Sequence, residues 1–393
     1  MKSSSQATLV GTKVTLVGLL LAFYLFSAMV ILKLRYGRQK RRLSEEEEGK
    51  GSRKLPRLPI HFIYLAKVPT EAIDWPRVDA CAVLSAAQQN PHRPVWVHTN
   101  SRLPMGDHSW REASNVVVKT INETDIVAGT PVEAFLPRLK AATTKKPEWK
   151  LPHLSDVLRV ALLYRHGGLY LDSDLISLRS LESTLDHDLY LTRQYSCPIH
   201  DLRRHLGCID NAVFGVARPG HPFLRAYLEA MPKVYDPGDW VSIGPHLLSD
   251  LVVRYSVSFS GEHSATLRVP ASEWSSSTSD DRLPNVEEEI VAHISRREDF
   301  FPIIKQVGDA IYGMEDETAV EDGFSLLLHG RSYGTHVWRN SHSRDFRFSK
   351  RSFLGRLLKR QCRFFLHTTA TTQGARTQPS HDESTFPLFS NGY

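Results

Sequence analysis

The chain has 393 residues, of which 41% are hydrophobic and 23% charged, a composition typical of a globular protein with a large core. Its net charge of +6 comes from the amino terminus, because residues 33–58 carry ten Lys and Arg against four Glu and residues 59–393 sum to about −2. The globular part lacks the positive surface that nucleic acid requires, so we expect no nucleic-acid partner.

An uncharged, apolar run from Val14 to Leu32 follows an amino-terminal tail, residues 1–13. As a helix, its 19 residues would span about 28 Å, close to the hydrocarbon thickness of a bilayer. The apolar region of a signal peptide is shorter, about 7–15 residues, and here the basic Lys33 follows the run directly. We therefore predict that residues 14–32 are an uncleaved, single transmembrane anchor.

The residues leave the orientation of this anchor open. The flank after the run is more basic than the flank before it, which by the positive-inside rule places the large domain in the cytosol. A lumenal domain is favoured by the acid-free tail, by the glycosylation acceptor Asn122-Glu123-Thr124 and by an even number of cysteines beyond the anchor. These cysteines are Cys81, Cys197, Cys208 and Cys362. Cys197 and Cys208 suit either a local disulfide or two buried thiols.

Beyond the anchor, residues 33–58 contain too few apolar residues to pack and are predicted to form a stem. From residue 59 onward, strand-like and helix-like runs alternate, which implies an α/β fold with a mostly parallel sheet. Further predicted segments are strands at 59–65, 94–98, 115–118 and 210–216, helices at 79–89, 155–166 and 222–230, a helix opening at 244, a polar insertion at 275–289 and a disordered tail at 366–393.

The predicted helix 155–166 leads into a Gly-Gly turn. Ser155 is the expected N-cap, and Gly167 is free to adopt the positive φ with which many helices end. Asp156 then falls in the first turn, where the helix dipole favours a carboxylate, and Arg159 is spaced for an ion pair with it. These local roles are the structural alternative to a role of the pair in ligand binding.

Asp172 and Asp174 end the short apolar strand that follows this turn. Residues two positions apart on a strand point to the same side, so one ligand could contact both carboxylates. Paired carboxylates suit Mn²⁺ or Mg²⁺, and such a cation is usually shared with phosphate oxygens. Alone, the pattern is more often two solvated acids at the end of a strand.

The context of the two acids separates three kinds of chemistry. A calcium loop requires a Gly and a Glu at fixed later positions, whereas Leu175-Ile176-Ser177-Leu178 follows Asp174. An aspartyl phosphatase requires a Lys and further acids near its nucleophile, and the preceding helix and Gly-Gly turn do not support it. A metal site for a nucleoside diphosphate-sugar accounts for the strand end, the Gly-Gly turn and the Asp/Arg pair together.

Several segments of the chain, in order, resemble one known family. Ser155-Asp156-x-x-Arg159 and Gly167-Gly168-x-Tyr170-Leu171-Asp172-x-Asp174 resemble the sugar-binding DXD region of glycosyltransferases, in the group of lactosylceramide 4-alpha-galactosyltransferase and alpha-1,4-N-acetylglucosaminyltransferase. The resemblance covers about residues 59–365 and extends to Cys81–Ala87 with Asn90-Pro91, Asp210-Asn211-Ala212, Gly244-Pro245-x-Leu247-Leu248, Phe300–Ile303, Tyr333–Trp338 and Cys362.

This resemblance implies a GT-A-like catalytic domain at 59–365 in a single-pass type II protein of the Golgi membrane, with the domain in the lumen. It implies retaining transfer of galactose or an N-acetylhexosamine, in alpha-1,4 linkage, from a UDP-sugar to a galactose-terminated glycolipid similar to lactosylceramide, or to a glycan. The alternatives are mannosyl or glucosyl transfer with the same donor site and an inactive, membrane-anchored glycan-binding relative. No further carboxylate stands out as a nucleophile, so a covalent intermediate is not supported.

Carried over residue by residue, the resemblance implies that Asp172 and Asp174 are catalytic and bind the Mn²⁺ or Mg²⁺. His336 is the implied carboxyl-terminal metal ligand, although a lone His beside Trp338 is also typical of a packed, hydrogen-bonded residue. The implied nucleotide-sugar-binding residues are Asp156, Arg159, Gly167, Gly168, Tyr170 and Asn211. The chain departs from the family pattern at Ser242 and Ala212, near the expected acceptor or reacting sugar, so these departures bear on substrate identity.

Overall fold

The computed structural model describes residues 57–65, 77–100, 113–142, 147–194, 208–260, 263–270, 287–303, 305–338, 347–362 and 385–387. The predicted tail and anchor, nearly all of the stem, Cys197, most of the insertion at 275–289 and most of the carboxyl-terminal tail lie outside these residues. Within the described ranges, no helix is both long and apolar enough to cross a bilayer.

Strands and helices alternate along the described chain, as predicted. The strands are β1 Ile60–Tyr64, β2 Val95–Thr99, β3 Val116–Thr120, β4 Gly168–Leu171, β5 Leu175–Ser177, β6 Leu189–Gln194, β7 Cys208–Val216, β8 Ser256–Phe259, β9 Ser264–Pro270, β10 Glu287–Ser295, β11 Gly334–His336, β12 Arg347–Ser349 and β13 Thr385–Pro387. The α-helices are α1 Arg77–Gln89, α2 Glu123–Val127, α3 Leu136–Ala141, α4 Lys150–His166, α5 Pro222–Val234, α6 Pro245–Tyr255, α7 Gly308–Tyr312, α8 Glu317–Phe324 and α9 Phe353–Gln361.

In the described part of the chain, nine strands form one sheet in the order β3-β2-β1-β4-β7-β6-β10-β9-β8. The neighbouring pairs β3-β2, β2-β1 and β1-β4 are parallel. β7 runs antiparallel to both β4 and β6, β10 is parallel to β6, and β9 and β8 are antiparallel additions. The predicted α/β class and the predicted parallel pairing of the first strands are confirmed, and the sheet as a whole is mixed.

The central strands are covered on both faces, which explains why their sequences are continuous apolar runs. Every residue of β1, β4 and β7 is buried. Leu169 and Leu171 of β4 pack in one cluster with α1, and Tyr170 points to the other face, against α4. The acids that follow β4 are therefore attached to a fully buried strand of the sheet.

The helix before the acids begins earlier than predicted. α4 starts at Lys150 after a 3₁₀ turn, and its N-cap is Trp149, which makes no side-chain capping bond. Pro152 is compatible with this start because a proline in the first turn loses no helical hydrogen bond. The predicted N-cap role of Ser155 is thus wrong, and Asp156 lies in the second turn, buried, instead of facing the helix dipole from the first turn.

The predicted end of α4 at Gly167 is confirmed. Gly167 has a φ of 64°, and its N–H donates to the Leu163 carbonyl at 2.7 Å. Gly168 has a φ of 101°, and a Cβ there would lie 2.1 Å from the carbonyl oxygen of Pro59. The two glycines are therefore required by the turn and by the close approach of the backbone before β1.

A disulfide joins the two ends of the described domain. Cys81 in α1 is bonded to Cys362, which follows α9, across 281 positions of sequence. Cys208 is also disulfide-bonded, and its predicted partner, Cys197, lies outside the described residues.

We expect the combined change Cys81→Ala and Cys362→Ala to lower the free energy of unfolding by about 2–5 kcal/mol, because the cross-link closes a long loop in the unfolded chain. Thermal unfolding of the full-length wild type and of the double variant measures this difference. An unchanged unfolding midpoint would show that the bond between α1 and the end of α9 does not stabilise the fold.

Candidate metal and donor site

The two acids of the D-x-D motif lie in a turn that directly follows β4. The N–H of Asp172 donates to the Ala212 carbonyl of β7 at 2.9 Å, which continues the ladder of the sheet. The carbonyl of Asp172 then accepts from the N–H of Leu175 at 3.1 Å, so the chain turns and enters β5. Asp172 is partly exposed and Asp174 is buried at the inner side of this turn.

β11 brings His336 to the same turn. β11 pairs antiparallel with β5, and His336 lies opposite Leu175. The N–H of Val337 donates to the Asp174 carbonyl at 3.0 Å, which fixes the end of β11 against the turn. His336 Nε2 is 3.3 Å from Asp174 Oδ1 and 3.5 Å from Asp172 Oδ2.

Asp172, Asp174 and His336 form the one group of three or more candidate ligands that could hold a metal ion among the described residues. One ligand atom from each residue lies within 4.8 Å of the others. Adjacent ligands of an octahedral cation at about 2.1 Å are about 3 Å apart, so separations of 3.3 and 3.5 Å require only a small contraction. Two carboxylates and one imidazole therefore fit a divalent cation in both chemistry and spacing.

His336 is held in the orientation that this site requires. The backbone nitrogen of Trp338 lies 3.1 Å from His336 Nδ1, and Nε2 faces the acids. The indole ring of Trp338 packs against the imidazole at a centroid distance of 4.4 Å, and Trp338 has a positive φ of 59°, which is uncommon for a bulky residue. Burial alone would lower the pKa of His336, but Asp174 and Asp172 raise that pKa to about 9. Nε2 thus carries a proton toward the acids at neutral pH.

A buried polar network lies behind Asp172. Arg159 Nη1 is 3.0 Å from Asp172 Oδ1, and the Tyr170 hydroxyl donates to the same oxygen at 2.8 Å. Burial would raise the pKa of Asp172, but Arg159 and His336 outweigh that effect and lower it. Burial opposes the charge of Arg159, yet Asp172 together with Tyr170 and Asp156 raises its pKa, so the guanidinium stays charged.

Asp156 and Asn211 form the next layer of this network. The Asn211 amide donates to Asp156 Oδ1 at 2.8 Å, and Arg159 Nη2 lies 3.4 Å from the same oxygen in the predicted i,i+3 ion pair. Burial raises the pKa of Asp156, and Arg159 and Asn211 offset part of that rise. A Cβ at Gly244 would lie 3.0 Å from Asp156 Oδ2 and 3.1 Å from Asn211 Nδ2, so the start of α6 packs directly on the pair.

The two departures from the family pattern lie close to this network. Ala212 is buried, and its backbone is used by the ladder and by Asp210. Ser242 is also buried, and its hydroxyl donates to the Asp236 carbonyl at 3.1 Å, two residues before Gly244. Neither side chain reaches Asp172 or His336 through a hydrogen bond in the described residues.

Not all of the predicted donor-binding residues come together. Gly167 and Gly168 lie at the beginning of β4, beside Pro59 and His61, whereas Asp172 follows its end. Asp156, Arg159, Tyr170 and Asn211 do lie in one network with Asp172. The structure therefore separates the Gly-Gly turn from the candidate metal site by the length of β4.

Asp210 is a site residue that sequence reasoning did not select. It is buried in β7, and its Oδ1 accepts from the Ala212 N–H at 2.8 Å. Burial raises the pKa of Asp210 to about 6, against the opposing effects of His336 and the Ala212 N–H, so it belongs to the electrostatic surroundings of the metal ligands. The sequence does carry one indication of this role, because Asp210 and Asn211 form a polar pair at the start of the predicted strand 210–216.

Comparison with known proteins finds a family similar to the segment that holds this site. Residues 76–191 match the family described as glycosyltransferase sugar-binding region containing DXD motif, and this segment includes α4, β4, Asp172 and Asp174. The part of the chain that holds the D-x-D motif is therefore similar to the DXD-containing glycosyltransferases. The predicted resemblance is thereby confirmed. The third candidate ligand, His336, lies outside the matched segment.

Individual known proteins are similar to this chain. Human alpha-1,4-N-acetylglucosaminyltransferase is 26% identical over 47% of this chain and 52% of its own length. Rat lactosylceramide 4-alpha-galactosyltransferase is 25% identical over 72% of this chain and 69% of its own length. Among solved structures, PaToxG glycosyltransferase is 18% identical over 49% of this chain and 68% of its own, with a TM-score of 0.35. The chain spans only about half of the first of these relatives.

We expect the affinity of the full-length protein for Mn²⁺ to rise with pH up to about 9, by as much as about tenfold per pH unit, because the cation must displace the Nε2 proton of His336. Calorimetric titration of the metal-free protein at a series of pH values measures this.

The matched variant is His336→Gln, which keeps a polar side chain without a titrating ring. It should bind Mn²⁺ more weakly and with much less dependence on pH. The same pH dependence in wild type and variant would contradict a metal site that includes His336.

Proposed function

We propose that the protein transfers galactose or an N-acetylhexosamine from a UDP-sugar, in alpha-1,4 linkage and with retention of configuration, to a galactose-terminated glycolipid or glycan. The observation that carries the proposal is the meeting of Asp172, Asp174 and His336 at the end of β4, within a family-matched D-x-D region. The names of the two relatives support the linkage and the two candidate sugars.

Asp172, Asp174 and His336 would hold a Mn²⁺ or Mg²⁺ ion. Such an ion, when bound, offsets the charge that develops on the departing diphosphate. The side chains of this chain position that ion: β4 and β7 fix Asp172, and the pairing of β5 with β11 fixes His336 beside Asp174. A GT-A-like domain is supported by the parallel first strands and by the site at the carboxyl end of β4.

We further propose that the protein is a single-pass type II protein of the Golgi membrane with this domain in the lumen. The apolar run at residues 14–32 and the Asn122 acceptor support this location. Asn122 is exposed and begins α2 as its N-cap, so a glycan could be attached without opening the core. The disulfide between Cys81 and Cys362 fits an oxidising compartment.

Two other functions would use the same site differently. Mannosyl or glucosyl transfer would need the same metal and diphosphate contacts, and a panel of nucleotide-sugars separates it from the proposed reaction. An inactive glycan-binding relative has no use for three converging metal ligands, and hydrolysis of a UDP-sugar that depends on added metal would exclude it.

We expect Asp174→Asn to lower transfer at least about 100-fold, because the loss of one anionic ligand costs several kcal/mol at the transition state. The measurement is sugar transfer from a panel of UDP-sugars, with and without EDTA and added Mn²⁺. EDTA should inactivate the wild type, and Mn²⁺ should restore it.

The control for this change is Asp322→Asn, because Asp322 is exposed on α8 and is not one of the three candidate ligands. It should leave transfer unchanged. Activity near that of the wild type, resistant to EDTA, in a folded Asp174→Asn protein would rule out the proposed metal site.

The lumenal location predicts that the expressed protein carries a glycan on Asn122, so that glycosidase treatment increases its mobility in gels. Thr124→Ala should abolish this change, because it removes the acceptor sequence and keeps the Asn122 oxygen that accepts from the Thr124 N–H. Thr124→Ser keeps the acceptor and should remain modified. A wild type whose mobility does not respond would argue for a cytosolic domain.

A further inference from the structure

Two tryptophan rings meet at the surface of the domain. The ring centroids of Trp149 and Trp240 are 6.3 Å apart, and the ring planes make an angle of 77°, which is an edge-to-face arrangement. Trp149 is half-buried, and Trp240 is 40% exposed. Single exposed apolar residues are common, but a paired aromatic surface is typical of a place where a ligand binds.

The helix α4 connects this pair to the candidate donor site. Trp149 is the N-cap of α4, and Asp156 lies seven residues later on the same helix. At about 1.5 Å per residue, Trp149 therefore precedes Asp156 by about 10 Å along the helix axis. Asp156 accepts from the Asn211 amide, which belongs to the network behind Asp172. The amino end of α4 thus extends outward from the end of the sheet at which the candidate metal ligands meet.

The loop that carries Trp240 is fixed on both sides of that residue. Before Trp240, the Asp239 carbonyl lies 3.2 Å from Nε2 of the buried His153 in α4. After Trp240, Gly244 packs on Asp156, because a Cβ at Gly244 would lie 3.0 Å from Asp156 Oδ2. Trp240 is therefore held between the amino ends of α4 and α6, beside the donor network.

Two polar side chains accompany the rings. Asp239 precedes Trp240 directly, and its side chain is 41% exposed. Asp239 Oδ2 lies 3.4 Å from His246 Nδ1 in the first turn of α6, and the His246 side chain is 20% exposed. Small-molecule sites combine an aromatic lining with a few placed polar groups. A sugar requires this combination, because it has apolar C–H faces and a rim of hydroxyl groups.

We infer that Trp149 and Trp240 stack on the terminal sugar ring of the acceptor, and that Asp239 and His246 bind its hydroxyl groups; these four residues are the acceptor surface. The inference rests on the proposed function, which supplies a galactose-terminated acceptor. One side of a galactose ring presents a patch of C–H groups, because its axial 4-hydroxyl lies on the opposite side. A galactose stacked through that patch turns its 4-hydroxyl away from the indole, and an alpha-1,4 linkage forms at this hydroxyl.

The loop composition favours a sugar over a lipid surface. Exposed tryptophans are also typical of proteins that contact a membrane, where Lys and Arg usually accompany them. The loop from residue 236 to residue 244 has two acids, Asp236 and Asp239, and no Lys or Arg. A carboxylate beside Trp240 suits sugar hydroxyls, which donate hydrogen bonds, better than it suits phosphate headgroups.

Trp240→Ala tests the inference in the full-length protein. With Mn²⁺ and UDP present, its binding of lactose, followed by ligand-observed NMR, should be roughly tenfold weaker than that of the wild type, because the stacking ring is lost. Trp240→Phe keeps an aromatic face and should bind lactose within about threefold of the wild type. The affinity for UDP, measured by calorimetry, should be equal in all three proteins.

Phe259→Ala is the matched control. Phe259 is also an exposed aromatic residue, at 51%, and it lies on β8, the edge strand of the nine-stranded sheet, whereas β4 lies in the interior of that sheet. The variant loses an exposed ring without touching the acceptor surface, so its binding of lactose and of UDP should equal that of the wild type.

The outcomes separate the inference from the proposed function. Equal lactose binding in wild type and Trp240→Ala, or a wild type that binds no lactose, would overturn the acceptor surface. Unchanged lactose binding with a loss of binding to phosphatidylcholine vesicles in Trp240→Ala would also overturn it and would assign the rings to a lipid surface. A wild type that transfers no sugar from any UDP-sugar, while Trp240→Ala still loses lactose binding, would overturn the proposed function and support a glycan-binding surface.

Discussion

The antiparallel pairing of β5 with β11 is the constraint on which the site depends. Asp174 and His336 are far apart in sequence, and the register that sets His336 opposite Leu175 is what brings the imidazole to the acids. A slip of one residue would turn His336 to the other side of the strand and leave Asp172 and Asp174 facing each other without it. The Val337 N–H on the Asp174 carbonyl and the His336 N–H on the Phe300 carbonyl both resist such a slip.

Behind the three candidate ligands, the buried charge of Arg159 is paired with two carboxylates. Asp156 and Asp172 lie on two sides of Arg159, and Asn211 contributes both an amide to Asp156 and a carbonyl to Arg159. A buried charge without such partners would cost several kcal/mol. The loss of one member of the network would therefore destabilise the fold by leaving another member unpaired. Its rigidity comes from α4, β4 and β7, which are among the most buried elements of the described chain.

Much of this arrangement could be predicted from the sequence, because apolar runs and the D-x-D spacing are local signals. The start of α4 was missed because Ser155 looks like an N-cap, whereas the helix begins at Lys150 and has Pro152 in its first turn, where a proline is compatible with a helix. Gly167 and Gly168 adjoin the motif in sequence, but the length of β4 separates them from Asp172. The contact of Arg159 with Asn211 and the pairing of Cys81 with Cys362 depend on tertiary structure, which no local pattern specifies.

The central claim is that one divalent cation binds between the D-x-D turn and the end of β11. It is tested most directly by a crystal structure of the protein with Mn²⁺ and UDP, with anomalous diffraction recorded at the manganese edge. The account predicts one anomalous peak at about 2.0–2.3 Å from an Asp172 oxygen, an Asp174 oxygen and His336 Nε2, with diphosphate oxygens and water at the remaining positions. An anomalous peak at another position, or UDP bound with His336 Nε2 still against the two acids, would contradict it.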